Sequence, residues 1–475
     1  MPRLPCPLDV RPVALAAACL LAACAPRADA PAGRDRPADG PPTALAAPEW
    51  ARTATIYEVN TRQYTPAGTF KALLPELARI RATGADILWF MPLQPIGQQN
   101  RKGALGSYYS IADYTAVNPE FGTLQDLRAV VDSAHALGMR VILDWVANHT
   151  AFDHRWTTEH PDWYTRRPDG TISTAIDDKG KETDWTDVAD LNYGSAALRA
   201  EMIASMRWWL EHAKLDGFRC DVAGFVPYDF WAAARDSLMR TKPDVFLLAE
   251  WEDPALHASF HATYGWELHH LLNKVAKGEE GQGALATYLE QQRQRFPAGA
   301  FRMYFTSNHD ENSWNGTEFE RMGANHQAAF VVASTFEGAF PLVYSGQEAS
   351  NAKRLRFFDK DTLDWRGASL TSFYHTLAAL KDSTPALHNG PWGGTVEWLT
   401  HDGDPRVVAF SRTRARSAVV VVANFGDAPK TVRWSGLTAP GRYRDAFGAD
   451  TMALAERGET TVPAHGWRVF VRGAR

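Results

Sequence analysis

The sequence predicts an α/β protein: a (β/α)8 TIM barrel followed by a C-terminal antiparallel β-sandwich. Apolar runs alternate with helix-like segments from about residue 54 to residue 381, and strands that alternate with helices form parallel sheets. Three of these runs lead into acidic residues, Asp221, Glu250 and Asp310. Parallel barrels present their chemistry at the carboxyl ends of their strands. After about residue 392, short apolar runs between Gly, Pro and Asp turns predict the sandwich.

The first half of the barrel contains three predicted strands, at residues 55–59, 87–91 and 141–143. Leucine and isoleucine at helical spacing predict a helix over residues 70–81, and a second helix is predicted over residues 124–137. The stretch that follows the third strand is dense in Trp, Asp, Pro and Gly and lacks this spacing. It is predicted to leave the barrel as a short excursion, domain B, at residues 149–192.

The second half of the barrel supplies the other strands, although helix and turn signals mix between residues 266 and 288 and leave the sixth strand unplaced. The catalytic barrel is predicted to occupy residues 49–392 and the sandwich residues 393–475. The predicted strands are residues 217–221, 246–249, 301–305 and 341–345, and the predicted helices are residues 197–213, 230–239, 327–336 and 371–381.

Residues 1–24 are predicted to be a lipoprotein signal peptide. Arg3 and Arg11 precede an apolar run over residues 13–21 that is too short for a stable membrane span. Small residues then precede Cys24, an order similar to the bacterial lipobox, in which the signal is cut and the cysteine is lipidated. A plain signal peptide is the alternative, with secretion as its consequence.

The segment after Cys24, residues 25–48, is rich in Ala, Pro, Gly and Asp and is predicted to be a flexible tether. A multiply acylated Cys24 would hold the protein on a membrane, because each buried CH₂ contributes about 0.8 kcal/mol. Ala25 takes the place at which bacterial sorting usually reserves Asp for retention in the inner membrane. We therefore expect a lipid anchor on Cys24 in the cell envelope, with the outer membrane favoured.

Composition excludes a nucleic-acid partner, because the formal net charge is −5 and no basic stripe is present. Three of the four cysteines lie in the first 24 residues, so the folded part holds only Cys220. No disulfide can form there. Cys220 is predicted to be a small buried residue, because no base lies near it in the sequence to activate its thiol.

Polar residues at the predicted strand ends should converge on one rim of the barrel. Cleavage of a glycosidic bond needs a protonated carboxyl to release the leaving oxygen and an ionised one to attack or to activate water. Arg219 lies two residues before Asp221, on the same strand face, and its charge is expected to keep Asp221 ionised. The strand-end set comprises Asp144, Asn148, His149, Arg219, Asp221, Glu250, His309 and Asp310.

Four segments of this set resemble the signature segments of glycoside hydrolase family 13, the α-amylase family. They are DWVANH at residues 144–149, GFRCD at 217–221, AE at 249–250 and SNHD at 307–310. Residues 189–192 (ADLN) are similar to a fifth segment, and residues 106–109 (GSYY) are similar to the segment that carries a stacking tyrosine. The matches have the order and spacing of the family over roughly residues 56–348.

The resemblance implies a retaining mechanism. Asp221 would be the nucleophile, Glu250 the acid and then the base, and Asp310 a ligand of the sugar hydroxyls. In the cleavage subsite, His149 and His309 would bind the sugar and Tyr109 would stack on it. Arg219 would orient Asp221, with Asp144 as its partner. The neighbouring Trp145, Trp251 and Trp314 are each either a subsite wall or a packing residue.

The sequence departs from the family pattern at two places. Many α-amylases carry Lys-His shortly after the nucleophile, where this chain has Gly224 and Phe225, so its leaving-group subsites are expected to differ. Asn148 and Asp190 match two calcium-ligand positions of the family. A structural calcium ion is thus possible, while the proposed chemistry needs no metal or other cofactor.

These observations predict an enzyme that hydrolyses α-1,4-glucans by way of a covalent glucosyl-enzyme intermediate. A transglycosidase or isomerase, resembling a glucanotransferase or a trehalose synthase, would share the intermediate and differ in what intercepts it. A non-catalytic glycan-binding lipoprotein is the third alternative. The presence of all three acidic residues argues against that alternative.

Overall fold

A computed structural model describes residues 43–473. The predicted signal peptide with Cys24 lies outside the described residues, as does most of the predicted tether. Within the part that is described, no helix is both long and apolar enough to cross a membrane.

Eight parallel strands close into a barrel in sequential order, with β8 paired to β1. The predicted barrel is confirmed. The sixth strand is only three residues long, too short for a clear sequence pattern. The strands are β1 (Ile56–Val59), β2 (Ile87–Phe90), β3 (Arg140–Trp145), β4 (Gly217–Cys220), β5 (Phe246–Ala249), β6 (Ala262–Tyr264), β7 (Phe301–Tyr304) and β8 (Ala339–Tyr344).

The helices pack around this barrel. The helix predicted over residues 70–81 is interrupted by a 3₁₀ turn at Leu74–Glu76, because Pro75 has no backbone N–H to donate to a helix. The mixed region after β6 forms two helices separated by a turn, and Gly278 ends the first in a left-handed conformation. The longer helices are Leu124–Ala136, Ala196–Ala213, Tyr228–Thr241, Trp266–Lys277, Gln282–Arg295, His326–Thr335 and Thr371–Ser383; the shorter are Thr61–Tyr64, Phe70–Leu73, Leu77–Arg81, Trp156–Glu159 and Glu318–Met322.

Alternate side chains of the barrel strands point to opposite faces. One set fills the barrel interior, where Trp89, Ile142, Leu248, Met303 and Leu342 belong to one buried cluster. The other set packs against the surrounding helices, as Leu88, Val141, Phe218 and Leu247 do. Both faces of these strands are therefore apolar, which explains their continuous hydrophobic runs.

Domain B leaves the barrel directly after β3. Its base is a short antiparallel pair, His149–Ala151 with Val188–Asp190, in which His149 lies opposite Asp190. The C-terminal region forms two antiparallel sheets, one of six strands and one of three, as predicted, with a buried core of their own. Their strands are Thr395–Trp398, Thr400–His401, Val407–Arg414, Ser417–Asn424, Lys430–Ser435, Gly441–Asp445, Thr451–Leu454, Gly458–Val462 and Gly466–Arg472.

Candidate active site

The strand-end residues surround a cavity of about 390 Å³. Six of the seven site residues predicted from the sequence line it, and Arg219 lies fully buried beneath three of the carboxylates. The structure therefore brings the predicted set together at one place. The lining residues are Lys102, Ser107, Tyr109, His149, Trp185, Asp187, Val188, Asp221, Val222, Glu250, His309, Asp310, Trp314, Phe357 and Phe358.

Arg219 is the centre of the acidic cluster. Its Nη1 atom donates hydrogen bonds to Oδ1 of Asp144 at 2.8 Å and to Oδ1 of Asp221 at 2.9 Å. Its Nη2 atom lies 2.7 Å from Oε1 of Glu250, an ion-pair distance without hydrogen-bond geometry. Adjacent nitrogens of one guanidinium thus contact the two carboxylates that the sequence predicted as nucleophile and acid.

Strand register explains this arrangement. Asp144 on β3 lies directly opposite Arg219 on β4, so the two side chains share a face. On its other side, β4 pairs with β5, which ends one residue before Glu250. The close approach of β4 and β5 requires Gly217, since a Cβ atom there would lie 1.9 Å from the carbonyl oxygen of Phe246.

The residue after Asp221 adopts a strained backbone conformation. Val222 has φ 34° and ψ 49°, a left-handed conformation that is rare for a β-branched residue and costs about 1–3 kcal/mol. In this conformation the Val222 backbone N–H donates a hydrogen bond to Oε2 of Glu250 at 2.8 Å. The strained turn therefore links the backbone next to one carboxylate with the side chain of the other.

The protonation of Asp221 differs from the expectation. Burial raises the pKa of Asp221 well above its usual value, and the neighbouring Glu250 carboxylate adds to this, although the Arg219 charge opposes it. Burial also raises the pKa of Asp144 to about 6. The expectation that the Arg219 charge keeps Asp221 ionised is wrong for the free site, because burial and the neighbouring Glu250 carboxylate outweigh that charge. The free cluster therefore retains a proton more readily than isolated carboxylates would.

Tyr109 and His309 form a second hydrogen-bonded group in the cavity. The Tyr109 hydroxyl donates to Oδ2 of Asp144 at 3.0 Å and lies 2.7 Å from Nε2 of His309. The other ring nitrogen of His309, Nδ1, lies 2.5 Å from Oε1 of Glu58, and Nε2 lies 3.2 Å from Asp310. Burial alone would lower the pKa of His309, but Asp310 and Glu58 outweigh it and raise this pKa to about 9. His309 is thus a cation at neutral pH.

His149, unlike His309, is uncharged at neutral pH. Burial lowers its pKa to about 3, so the ring is neutral at pH 7. The side chain of Asp310 lines the cavity and keeps 32% of its surface exposed. The site therefore offers a sugar one neutral histidine, one cationic histidine and one accessible carboxylate, a mixture of donors and acceptors suited to hydroxyl groups.

The three tryptophans next to the motifs have different positions. Trp145 is fully buried against Tyr114 and Phe218 and is a packing residue. Trp314, whose residue surface is 53% exposed, lines the cavity. Trp251 borders a second cavity beside Glu250.

Sequence reasoning missed several residues of the cavity and its surroundings. Glu58 lies in an otherwise apolar strand, and that isolated charge was a usable signal. The others lie in loops without a distinctive pattern: Lys102, Trp185, Asp187, Phe357 and Phe358. Cys220 is buried, and burial raises the pKa of its thiol well above the usual value.

Asn148 and Asp190, which match calcium-ligand positions, would supply only part of the oxygen ligands that a calcium ion needs. The Asn148 carbonyl accepts a hydrogen bond from the Leu191 N–H, and the Asp190 carboxylate accepts one from the Ile176 N–H. Burial raises the pKa of Asp190 to about 7. No group of three or more His, Cys, Asp or Glu suited to a metal occurs among residues 43–473. Ca²⁺ takes about six to eight oxygen ligands, so calcium binding stays a prediction.

Comparisons with known proteins agree with this fold. The family model described as "Alpha amylase, catalytic domain" matches residues 49–366, and the model of the family's C-terminal all-beta domain matches residues 398–472. A crystal structure of an α-amylase from Lactobacillus plantarum is 31% identical, has a TM-score of 0.79 and covers 89% of this chain and 99% of its own.

Two curated relatives differ in the activity that their names state. The α-amylase MalA of Haloarcula japonica is 29% identical over 442 residues, 89% of this chain and 62% of that protein. An α-1,4-glucan:maltose-1-phosphate maltosyltransferase of Rhodospirillum rubrum is 31% identical over 417 residues, 81% of this chain and 59% of that protein. The chain thus spans about three fifths of the length of each of these relatives.

Proposed function

Because the chain belongs to glycoside hydrolase family 13, the α-amylase family, we propose that it is a retaining glycosidase that cleaves α-1,4-glucosidic bonds of starch, glycogen or maltodextrins. One observation carries the proposal: Asp221 and Glu250 contact adjacent nitrogens of the same guanidinium at one cavity. A retaining glycosidase needs its two carboxyl groups about 5–5.5 Å apart, close enough for direct attack on the sugar.

The reaction proceeds in two steps. In the first, Asp221 attacks the anomeric carbon while Glu250 gives its proton to the glycosidic oxygen, which leaves with the remainder of the chain. A β-glucosyl ester of Asp221 results. In the second, Glu250 takes a proton from water, the water oxygen attacks the same carbon, and Asp221 is released. Two inversions restore the original α configuration.

The first step requires Asp221 to be ionised when it attacks the sugar. Arg219 donates a hydrogen bond to Asp221 but contacts Glu250 without hydrogen-bond geometry. Hydrogen bonding to the charged form favours that form. This hydrogen bond therefore favours the ionised form of Asp221, against the effects of burial and of the Glu250 carboxylate on its pKa.

The other cavity residues bind the sugar. The Asp310 carboxylate accepts hydrogen bonds from sugar hydroxyls, and the His309 cation donates to them. His149 contributes a neutral ring, and Tyr109 offers a flat face on which a pyranose ring can stack. These contacts hold the anomeric carbon beside Asp221, and such positioning supplies much of the rate of an enzymatic reaction.

A second function, glycosyl transfer, is favoured by the maltosyltransferase names among the relatives. The intermediate is the same, and a sugar hydroxyl replaces water as the acceptor. Isomerisation would be an intramolecular form of the same transfer. The competition between water and sugar at the second step decides between these functions.

Incubation of the purified protein with maltoheptaose separates the two functions. Hydrolysis predicts shorter oligosaccharides and one new reducing end for each bond cleaved. Predominance of oligosaccharides longer than seven units, with few new reducing ends, would overturn hydrolysis in favour of transfer. Asp221→Asn should abolish either activity and leave binding of the substrate largely intact.

For location, we propose a lipid anchor on Cys24 that holds the enzyme in the bacterial cell envelope. The support is the sequence order of charged, apolar and small residues before that cysteine. Growth with a labelled fatty acid should label the wild-type protein and leave the Cys24→Ala variant unlabelled. Equal labelling of the two proteins would exclude this site, and label in neither would favour a plain signal peptide.

A further inference from the structure

Two cavities meet at Glu250. The first is the site cavity described above. The second, of about 370 Å³, is lined by Val222, Glu250, Trp251, Glu252 and Trp266. Val222 and Glu250 line both cavities, so the predicted acid lies at their junction.

This junction fixes the direction in which a substrate lies, if the proposed function holds. The acid must contact the glycosidic oxygen, which is the atom that joins the donor sugar to the leaving group. The donor sugar then lies with Asp221 and Asp310 in the first cavity, named here the donor pocket. The leaving group lies beside Trp251 in the second cavity, named here the leaving-group notch.

The donor pocket is bounded by an aromatic wall. The ring of Phe357 is nearly parallel to that of Tyr109, with an interplanar angle of 14° and centroids 6.1 Å apart. Trp314 packs against Phe357 at 5.2 Å and against Phe358 at 5.8 Å. These residues line the donor pocket and are absent from the leaving-group notch.

An ion pair across the donor pocket ties the surrounding loops together. Nζ of Lys102 lies 3.2 Å from Oδ1 of Asp187 in domain B and donates a hydrogen bond to the Asp184 carbonyl at 3.3 Å. Lys102 and Asp187 both line the pocket. We name these two contacts of Lys102 the Lys102 strap.

The loop that carries Lys102 is also fixed to the segment that carries the aromatic wall. The Ala104 N–H donates to Oδ1 of Asp359 at 2.8 Å, and the Leu105 N–H donates to the Phe358 carbonyl at 2.9 Å. The loop after β2, domain B and the segment after β8 are thereby joined around one pocket. The Lys102 ammonium links the loop after β2 to domain B through its ion pair with Asp187.

We propose that the Lys102 strap closes the donor pocket, so that the enzyme removes a mono- or disaccharide from the non-reducing end of a glucan. The proposal deepens the proposed function and depends on it. A volume of about 390 Å³ is at the lower end of the roughly 300–1,000 Å³ that ligand cavities occupy. The pocket therefore suits a short donor, while the leaving-group notch receives the remainder of the chain.

Maltoheptaose labelled at its reducing end tests the proposal. Chromatography during the first few per cent of turnover should show unlabelled glucose or maltose together with a labelled product shortened by the same amount. Lys102→Ala and Asp187→Asn should each add labelled products of intermediate length. We expect their share to rise by about five-fold or more, because five-fold corresponds to the upper range for exposed ion pairs and the Asp187 side chain is buried.

Two control variants isolate the strap. Lys102→Arg keeps the charge and should keep the wild-type products. Arg167→Ala removes an ion pair with Glu182 inside domain B that does not line the pocket, and it should also leave the products unchanged. Thermal unfolding of each variant establishes that it is folded. Lys102→Ala and Asp187→Asn remove the same ion pair from opposite sides, so each tests the strap independently of the other.

The outcomes separate the two proposals. A ladder of intermediate products from the wild-type protein at the earliest times would overturn the strap and leave the glycosidase proposal intact. Unchanged products from both strap variants would do the same. Absence of any turnover by the wild-type protein would overturn the proposed function itself.

Discussion

Nδ1 of His309 lies 2.5 Å from Oε1 of Glu58, a buried carboxylate on β1. The pair joins the first strand of the barrel to the segment that follows the seventh. Together with Asp310, Glu58 raises the pKa of His309 to about 9, against the effect of burial. A residue outside the recognised motifs thus contributes to the charge of a residue within them.

Replacement of Glu58 tests this coupling. Glu58→Gln removes the negative charge that lies beside Nδ1 of His309 and should lower the pKa of this histidine. If cationic His309 is needed for sugar binding, the basic limb of the kcat/KM profile should move toward acid, as measured between pH 5 and 10. A variant with an unmoved basic limb would show that His309 does not act through its charge.

The same pair makes a pH-dependent contribution to stability. The folded pKa of His309 lies above its usual 6.5, so the contribution is fully present below about pH 6.5 and is lost as pH rises through 9. The whole shift of the His309 pKa, to which Asp310 and Glu58 both contribute, corresponds to up to about 3 kcal/mol by linkage, and the Glu58 pair supplies part of it. Urea unfolding should therefore show a smaller destabilisation by Glu58→Gln above pH 9 than below pH 6.

Glu348→Gln is the control for the activity profile. It changes another buried carboxylate, which accepts a hydrogen bond from Tyr57, and it should leave the basic limb of the kcat/KM profile unmoved.

Tyr109→Phe removes only the hydroxyl between Asp144 and His309. Hydrogen bonds to charged groups contribute about 1.5–3 kcal/mol, so kcat/KM should fall roughly 10- to 100-fold if the hydroxyl organises the site during the reaction. Steady-state kinetics on maltoheptaose measures the change. Tyr288→Phe is the matched control, because its hydroxyl bonds Tyr304 away from the cavity. An equal loss in both variants would contradict a specific role for Tyr109.

Glu250→Gln should affect substrates according to their leaving groups. Cleavage of maltoheptaose needs the acid and should slow by about 10²–10⁴-fold. Formation of the intermediate from α-glucosyl fluoride needs no proton and should be largely retained. Azide, which needs no general base, should then yield α-glucosyl azide. Glu337→Gln, which removes a carboxylate that is paired with Arg293 and lines neither cavity, should show neither selectivity. Equal slowing on both substrates would contradict the acid assignment.

Gly224 gives Trp251 its position in the leaving-group notch. A Cβ atom at Gly224 would lie 2.2 Å from Trp251 Cε2, so Gly224→Ala should displace the indole. We expect KM for maltoheptaose to rise, with little change for α-glucosyl fluoride, which lacks a leaving-group sugar. Gly283→Ala is the control, since no atom outside the local backbone of its own helix lies within 4 Å of its added Cβ. A rise in KM for both substrates would place the effect in the donor pocket instead.

The main site could be predicted from the sequence because strand topology determines it. Parallel strands carry their carboxyl ends to one rim, so Asp221, Glu250 and Asp310 had to converge once the barrel was recognised. The period-two spacing of Arg219 and Asp221 likewise placed both on one strand face.

What the sequence did not predict depends on contacts between distant segments. The Lys102 strap joins two loops, and loop conformation has no periodic signal from which a partner can be inferred. Glu58 became part of the site only through a histidine more than 200 residues away. The protonation of Asp221 was also mispredicted, because the local Arg219 charge was counted without the burial of Asp221 and the neighbouring Glu250 carboxylate.

The account depends most directly on a covalent bond between Asp221 and the sugar. Brief reaction with a fluorinated glucosyl fluoride whose intermediate turns over slowly, followed by mass spectrometry of the digested protein, tests it. We predict a single glycosyl adduct on the peptide that contains Asp221, and its absence from Asp221→Asn. A wild-type protein that turns over the reagent without any adduct, or that carries the adduct on another residue, would contradict the account.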